Sequence, residues 1–163
     1  MSLFISIEVY SLASFRKIMK ELVVRLIGRN KKINLISATI GIVYLWFGML
    51  KYFAGASPAE ELAKATISRL TLGFLAPEIS ILLLAIWETV IGLLLIGHLF
   101  EKFALKLALV HIILTFLPFL FFPDLVFSQA PFSLTLLGQY IIKNVIILGA
   151  LIVLLKESNK LRP

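Results

Sequence analysis

The sequence predicts an all-α integral membrane protein, in which a four-helix antiparallel bundle follows an N-terminal amphipathic helix at the membrane interface. Hydrophobic residues make up 60% of the 163 residues, whereas soluble domains hold roughly 45–50%. The excess lies in four runs, each close to the roughly 20 residues that cross a bilayer core as a helix. Short connections between the runs favour packing of helix on helix. The runs are residues 33–53, 77–98, 103–123 and 134–155, which together form one membrane domain over 33–155.

The N-terminal segment, residues 1–32, is basic and carries a helical pattern of its own. Over residues 3–28 the apolar side chains fall on one helix face, with Arg16, Lys17 and Lys20 beside them. Such a helix is suited to the inner surface of a membrane, where basic groups meet anionic headgroups. Docking to a protein partner is the alternative. The first residues lack the basic region that opens a signal peptide.

The positions of the basic residues predict the orientation of the chain. Most of them precede the first span, lie near Lys102 between the second and third spans, or fall in the tail over residues 156–163. All these positions are on one side of the membrane, which the positive-inside rule assigns to the cytoplasm. We therefore expect a multi-pass protein with both termini cytoplasmic. From this placement we expect the net charge of +7 to interact with the lipid bilayer and not with nucleic acid.

The connection between the first two spans carries a helix-start signal. Ser57 is suited to the N-cap, Pro58 to the first helical position and Glu60 to the capping-box partner. These residues predict a short helix over about residues 58–70. It is either a connector or a lid over the mouth of the bundle.

Small and polar residues recur at helical spacing within each span, so that they share one helix face. Helices in lipid pack closely through small residues and interhelical hydrogen bonds. Gly41 and Gly48 in the first span and Gly92 in the second are suited to this packing. The polar members of these faces include Tyr44, Lys51, Glu78, Glu88, His111, Gln139, Tyr140, Lys143 and Asn144.

Three ionisable residues are predicted to lie near the middle of the bilayer. At a helical rise of about 1.5 Å per residue, Glu88 is roughly 16 Å, Lys143 about 13 Å and His111 roughly 12 Å from the start of its predicted span, at Pro77, Leu134 and Phe103. A charge there costs roughly 2.5–3.5 kcal/mol on insertion scales. Pairing of Glu88 with Lys143, or protonation of Glu88, would offset this cost. The pair would then either fix the helix register or form a ligand site or proton relay. Lys51 and Glu78, near the ends of their spans, are expected to meet each other.

The sequence excludes several kinds of chemistry. It contains no cysteine, so disulfides, cysteine-ligated metals and thiol redox reactions are absent from this chain. It has no zinc-ligand spacing and no Ser/His/Asp grouping, and we expect no metal site. Haem ligation by His98 and His111 is disfavoured because the two lie at different depths. Pro118 is expected to kink the third span and Pro123 to end it, which would open a crevice for a quinone or lipid head group.

Three motifs stand in the spans: "LWFGMLKYF" in the first, "WETVIGLLLIG" in the second and "GQYIIKNVIILGA" in the fourth. Together they resemble the DoxX-like family of small four-helix membrane proteins, and most of all its bacterial inner-membrane branch associated with resistance to reactive chlorine. The resemblance covers about residues 36–155 and implies an antiparallel bundle in a bacterial cytoplasmic membrane. The motif positions are Gly48, Lys51, Glu88, Gly92 and Lys143.

The resemblance also implies a link to quinone chemistry or to stress. Some relatives are subunits of thiosulfate:quinone oxidoreductases, and others are tied to oxidative or sulfur stress. The relatives with redox cysteines match poorly, because this chain has none. The leading hypothesis is therefore a membrane-embedded accessory or quinone-associated subunit and not an independent enzyme, with quinone as the candidate cofactor. The candidate ligand-binding residues are Glu88, Lys143, Lys51, His111, Gln139, Tyr140 and Asn144.

Two other classes of function stay open. Lys51 and Lys143 would favour an anion in a small-solute transporter or channel, which a homo-oligomer would give more room. A structural or assembly protein would instead use its N-terminal segment to contact a membrane or cytoplasmic partner.

The orientation is testable with a reporter fused after Pro163. Because the positive charges cluster on one predicted side, we expect a reporter that is active only in the cytoplasm to report activity, and one that is active only in the periplasm to stay silent. The reverse pattern would overturn the assignment.

Overall fold

The computed structural model describes residues 31–160, with side chains described from Asn34 onward. The amphipathic helix predicted over residues 3–28 and the end of the tail lie outside this part of the chain. The chain divides after Leu35 into two units, Met1–Leu35 and Ile36–Pro163. The packing described below is that of the second unit.

Over the described residues the protein is mostly helical, as the sequence predicts. The order of elements follows the predicted spans, with short helices and a small antiparallel hairpin between them. The elements are α1 (Lys31–Leu50), α2 (Glu60–Leu70), α3 (Pro77–Ile96), α4 (Glu101–Leu114), α5 (Pro118–Phe121), α6 (Pro123–Val126), β1 (Phe127–Gln129), β2 (Ser133–Leu134), α7 (Leu136–Ile142) and α8 (Asn144–Lys160).

Three stretches are long and apolar enough to cross a membrane. They are Pro77–Ile96, Glu101–Phe121 and Leu136–Lys160, and the last two continue across short interruptions. The apolar helix Asn34–Leu50, which is the part of α1 with described side chains, is shorter. The chain turns after Leu50, where the sequence predicts a span that continues to residue 53. By length and composition the described residues therefore contain three spans, whereas the sequence predicts four.

Glycines bring α1 and α3 into backbone contact. A Cβ atom on Gly92 would lie 2.6 Å from the Leu45 nitrogen and 2.8 Å from the Gly41 carbonyl oxygen, so only hydrogen fits there. Gly48, further along α1, lies against Thr89, which precedes Gly92 in α3. The contacts move backward along α3 as they move forward along α1, so these two helices run antiparallel. This is the close approach that small residues permit between helices in lipid.

The helix of the third predicted span is interrupted ahead of Pro118. α4 contacts both α3 and α8 and ends at Leu114. The next residues form a turn in which the Phe116 N–H bonds to the Ile113 carbonyl at 3.1 Å, three residues back. Proline has no N–H and its ring collides with the preceding turn, which explains the interruption where the sequence predicts a kink.

Helix α2 is fastened at both ends. It begins at Glu60 without a side-chain cap, so the predicted capping box is wrong. The Glu60 carboxylate instead accepts hydrogen bonds from the Gly55 N–H at 2.8 Å and from Lys64 at 2.7 Å. These bonds, above all that of Lys64, hold the pKa of Glu60 below its usual value. At the other end Arg69 donates to the Phe121 carbonyl at 2.9 Å, next to the α5–α6 junction.

The hairpin returns the chain to the start of α7. Thr135 caps α7 by accepting from the Gly138 N–H at 3.1 Å, and its hydroxyl donates to the Leu125 carbonyl at 2.7 Å. Gly138 lies so close to the Val126 carbonyl that a side chain would collide with it. Val126 and Ile141 are buried together with Leu62 of α2. This cluster holds α2 against the α6–α7 region.

The α1–α3 contact predicts the effect of added methyl groups. Gly92→Ala should destabilise the protein by about 1–3 kcal/mol, the usual cost of overpacking, because the backbone of α1 stands in the way. Gly149 in α8 is the matched control, since a Cβ there meets nothing within 4 Å. Gly149→Ala should be neutral or slightly stabilising, because Ala has the higher helix propensity. Thermal unfolding in detergent compares the two variants, and equal melting temperatures would contradict the contact.

Candidate functional site

A cavity of about 680 Å³ lies among α1, α2, α3, α4, α5, α7 and α8. Its walls are mainly aliphatic and aromatic, with polar groups at a limited number of positions. Mostly apolar cavities with a few placed polar groups are typical of small-molecule sites. The polar and aromatic-polar residues of the wall are Tyr44, Lys51, Ser57, Thr66, Ser80, Trp87, Glu88, His111, Thr115, Tyr140, Lys143 and Asn144.

Glu88 of α3 is at the centre of a buried ionic cluster in this wall. Its Oε2 atom accepts from Lys51 Nζ at 2.6 Å, and its Oε1 atom lies 3.1 Å from His111 Nε2. The side chains of Lys51, Glu88 and His111 are 8%, 7% and 10% exposed. The expected pair of Glu88 with Lys143 is therefore wrong, and so is the pair of Lys51 with Glu78, which is exposed.

Lys51 reaches Glu88 because its side chain folds back along α1. In a continuing α-helix the Lys51 N–H would bond to the Phe47 carbonyl, four residues back. Here it bonds to the Gly48 carbonyl, so the Phe47 carbonyl is left without a backbone partner. Lys51 Nζ donates to this carbonyl at 3.3 Å, so the ammonium group lies at the negative end of the helix dipole. The Cα position of Lys51 places it at the end of the span, but its charge lies one turn further in, level with Glu88.

His111 extends the cluster to Tyr44 of α1. The Tyr44 hydroxyl lies 3.1 Å from His111 Nδ1 and 3.1 Å from the Ala108 carbonyl. An ionised carboxylate only accepts, so His111 Nε2 carries a proton toward Glu88. Nδ1 then either accepts from Tyr44 or, on an imidazolium, donates to it while Tyr44 donates to Ala108. The cluster therefore admits two proton arrangements without movement of a heavy atom.

Trp87 and Tyr140 supply aromatic surface and hydrogen-bond donors to the same wall. The Trp87 ring meets His111 edge to face at 5.6 Å, and Tyr140 meets Phe47 in the same way at 5.8 Å. The buried Trp87 Nε1 atom has no hydrogen-bond partner among residues 31–160. Indole only donates, and because this atom is buried, an acceptor reaches it only after the ring moves.

Lys143 lies at the junction of α7 and α8 and lines the cavity. Its Nζ atom lies 4.8 Å from the centroid of the Tyr140 ring. No carboxylate in the described part of the chain lies within ion-pair distance of it. Its neighbour Asn144 donates to Thr115 Oγ1 at 3.1 Å, which joins this junction to the interruption of α4.

The structure brings six of the seven sequence-predicted site residues to one cavity: Glu88, Lys51, His111, Tyr140, Lys143 and Asn144. Gln139 does not line the cavity; it is exposed and donates to the Leu134 carbonyl at 3.3 Å. Trp87 was missed. It is adjacent to Glu88 in sequence, and neighbours on a helix point about 100° apart, so the small and polar face did not include it.

Comparison of the chain with protein-family models, curated proteins and solved structures finds no match. Within residues 31–160 no group of three or more His, Asp or Glu side chains could hold a metal ion. The chemistry of the site is therefore inferred from its own residues.

The ionic cluster predicts which lysine is coupled to Glu88. Lys51→Met and Glu88→Gln should each cost about 3–5 kcal/mol, because each leaves a buried charge without its partner. The double variant should recover part of the loss, which gives a coupling energy. The parallel cycle with Lys143→Met should be additive. Unfolding in detergent measures both cycles, and coupling of Glu88 to Lys143 in place of Lys51 would refute the cluster.

Proposed function

We propose that this protein is a membrane-embedded subunit that holds the head group of a lipid-soluble molecule, with quinones as the first class to test. The cavity that combines an apolar wall with the Lys51–Glu88–His111 cluster is the observation that carries the proposal. An apolar ligand tail is compatible with the walls, and the polar positions would fix the head.

The groups that remain open point to the kind of contact. Both carboxylate oxygens of Glu88 already have partners. The groups that remain for a ligand are therefore hydrogen-bond donors. Lys143 lines the cavity, and its Nζ atom donates only. Trp87 Nε1 also donates only, but it is buried and is reached only if the ring moves. Quinone carbonyls are hydrogen-bond acceptors and match them. The protonatable His111–Tyr44 pair lies in the same wall and would be available for proton exchange.

The proposal includes four crossings of a bacterial cytoplasmic membrane in an antiparallel bundle, with both termini in the cytoplasm. The antiparallel contact of α1 with α3 supports a role for Asn34–Leu50 as the first crossing. We also propose membership of the DoxX-like family and a role as an accessory subunit of a membrane oxidoreductase or in stress resistance. In support, motif residues Gly48, Lys51, Glu88 and Gly92 meet at the α1–α3 contact, and Lys143 lines the adjoining cavity.

Tryptophan fluorescence offers a direct test of ligand binding. The chain has two tryptophans: Trp87 lines the cavity, while Trp46 is 66% exposed and does not. In a Trp46→Phe variant, a short-chain quinone should quench Trp87 saturably, because the ring would lie against the ligand. Purified protein in lipid nanodiscs is titrated, with the quinone expressed as a mole fraction of lipid.

The matched control is Trp87→Phe, in which Trp46 alone reports on quinone dissolved in the lipid. Its quenching should rise without saturation. If the two variants respond alike, the cavity does not hold a quinone.

A further inference from the structure

The ionisable side chains that line the cavity do not balance in charge. They comprise the ammonium groups of Lys51 and Lys143, the carboxylate of Glu88, and His111. Glu88 is already engaged at both oxygens. One positive charge therefore remains in excess, and it is carried by Lys143.

Lys143, which is exposed as well as lining the cavity, is also poorly compensated by its surroundings. It lies about 10 Å along the span that begins at Leu136, at about 1.5 Å per residue. Its Nζ atom lies over the face of Tyr140, 4.8 Å from the ring centroid, and an aromatic face is a weaker partner than a carboxylate. Its neighbours on the cavity wall include the aliphatic side chains of Ile141, Ile146 and Ile147. Ionisable groups inside spans pair with one another or mark a ligand path, and this lysine has no pair among residues 31–160.

We propose that the cavity selects lipid-soluble molecules whose head group is a single anion, a carboxylate or phosphate on an apolar chain, and that Lys143 recognises that anion. The inference rests on the proposed function, because it concerns the same cavity, and it adds the charge of the ligand. The head group accepts a charge-assisted hydrogen bond from Lys143. The apolar chain lies along the aliphatic wall.

The charge of Lys51 does not serve this purpose. Its ammonium is held by Glu88 at 2.6 Å and by the Phe47 carbonyl at 3.3 Å. An anion at Lys51 would have to compete with a carboxylate that is already in place. The two lysines are therefore assigned different roles, and substitutions separate them.

The test compares a dibrominated stearate with its methyl ester, which has the same chain without the charge. Bromine quenches tryptophan on contact, and the Trp46→Phe variant in nanodiscs reports on Trp87 alone. At equal mole fraction in the lipid and at a pH where the acid is ionised, we expect the acid to bind roughly tenfold or more tightly than the ester. This ratio corresponds to one charge-assisted hydrogen bond.

Variants assign the preference to Lys143. Lys143→Met should reduce the acid-to-ester ratio to about one, and Lys143→Arg should retain most of it. Lys106→Met is the matched control, since Lys106 is an exposed lysine within a span that does not line the cavity. The control should keep the full ratio.

The outcomes separate this inference from the function on which it rests. Equal saturable quenching by acid and ester would leave the cavity as a ligand site and overturn the anion preference alone. If neither brominated compound nor the quinone quenches Trp87 saturably, both proposals fail. If free acetate displaces the brominated acid as readily as unlabelled stearate does, the apolar chain contributes nothing. The proposal of an amphipathic ligand is then overturned in favour of a small free anion.

The melting temperature of the ligand-free protein provides a second readout. If Lys143 serves the ligand, Lys143→Met should leave the melting temperature unchanged or raise it, because an unpaired charge is removed from an apolar span. A clear fall would assign Lys143 a structural contact and overturn its role in recognition.

Discussion

The two filled oxygens of the Glu88 carboxylate are the constraint on which the arrangement of the helices depends. An ionised carboxylate inside a membrane span is tolerated only when its hydrogen bonds are satisfied. Lys51 supplies one bond from the end of α1, and His111 supplies the other from α4. Tyr44 then links His111 back to α1. One acidic group therefore fixes three helices relative to one another, and the glycines of α1 and α3 allow the close approach that these short bonds require.

The cavity beside this cluster lies where two of the helices are interrupted. Pro118 interrupts the span Glu101–Phe121, and the α7–α8 junction lies at Lys143. The hydrogen bond from Asn144 to Thr115 ties the two interruptions together. Interrupted helices inside membranes occur where the backbone is buried in protein or lines a cavity. Here Thr115, Pro118, Lys143 and Asn144 all line the same cavity. Both helix interruptions therefore lie in the cavity wall.

The sequence predicts the helical class, the apolar spans and most of the cavity residues, because these follow from composition and from positions three and four apart. Partners were harder to predict. Position along the helix axis predicted that Lys143 is level with Glu88 and that Lys51 is at the end of its span. However, a lysine side chain is long enough to place its charge a full helical turn from its Cα atom. The Phe47 carbonyl draws Lys51 inward, and this depends on where α1 ends. The end of a helix is the feature that periodicity determines least well, so the pairing of Glu88 was assigned to the wrong lysine.

The correction of that pairing changes the meaning of both lysines. Had Glu88 paired with Lys143, and Lys51 with Glu78, neither of these lysines would have been left without a carboxylate. Because Lys51 satisfies Glu88, the carboxylate belongs to the architecture and Lys143 is left with an aromatic face. The two lysines therefore differ in role because the side chain of Lys51 contacts Glu88 and that of Lys143 does not. A neutral ligand would leave the charge of Lys143 uncompensated, whereas the anionic head group proposed above would compensate it.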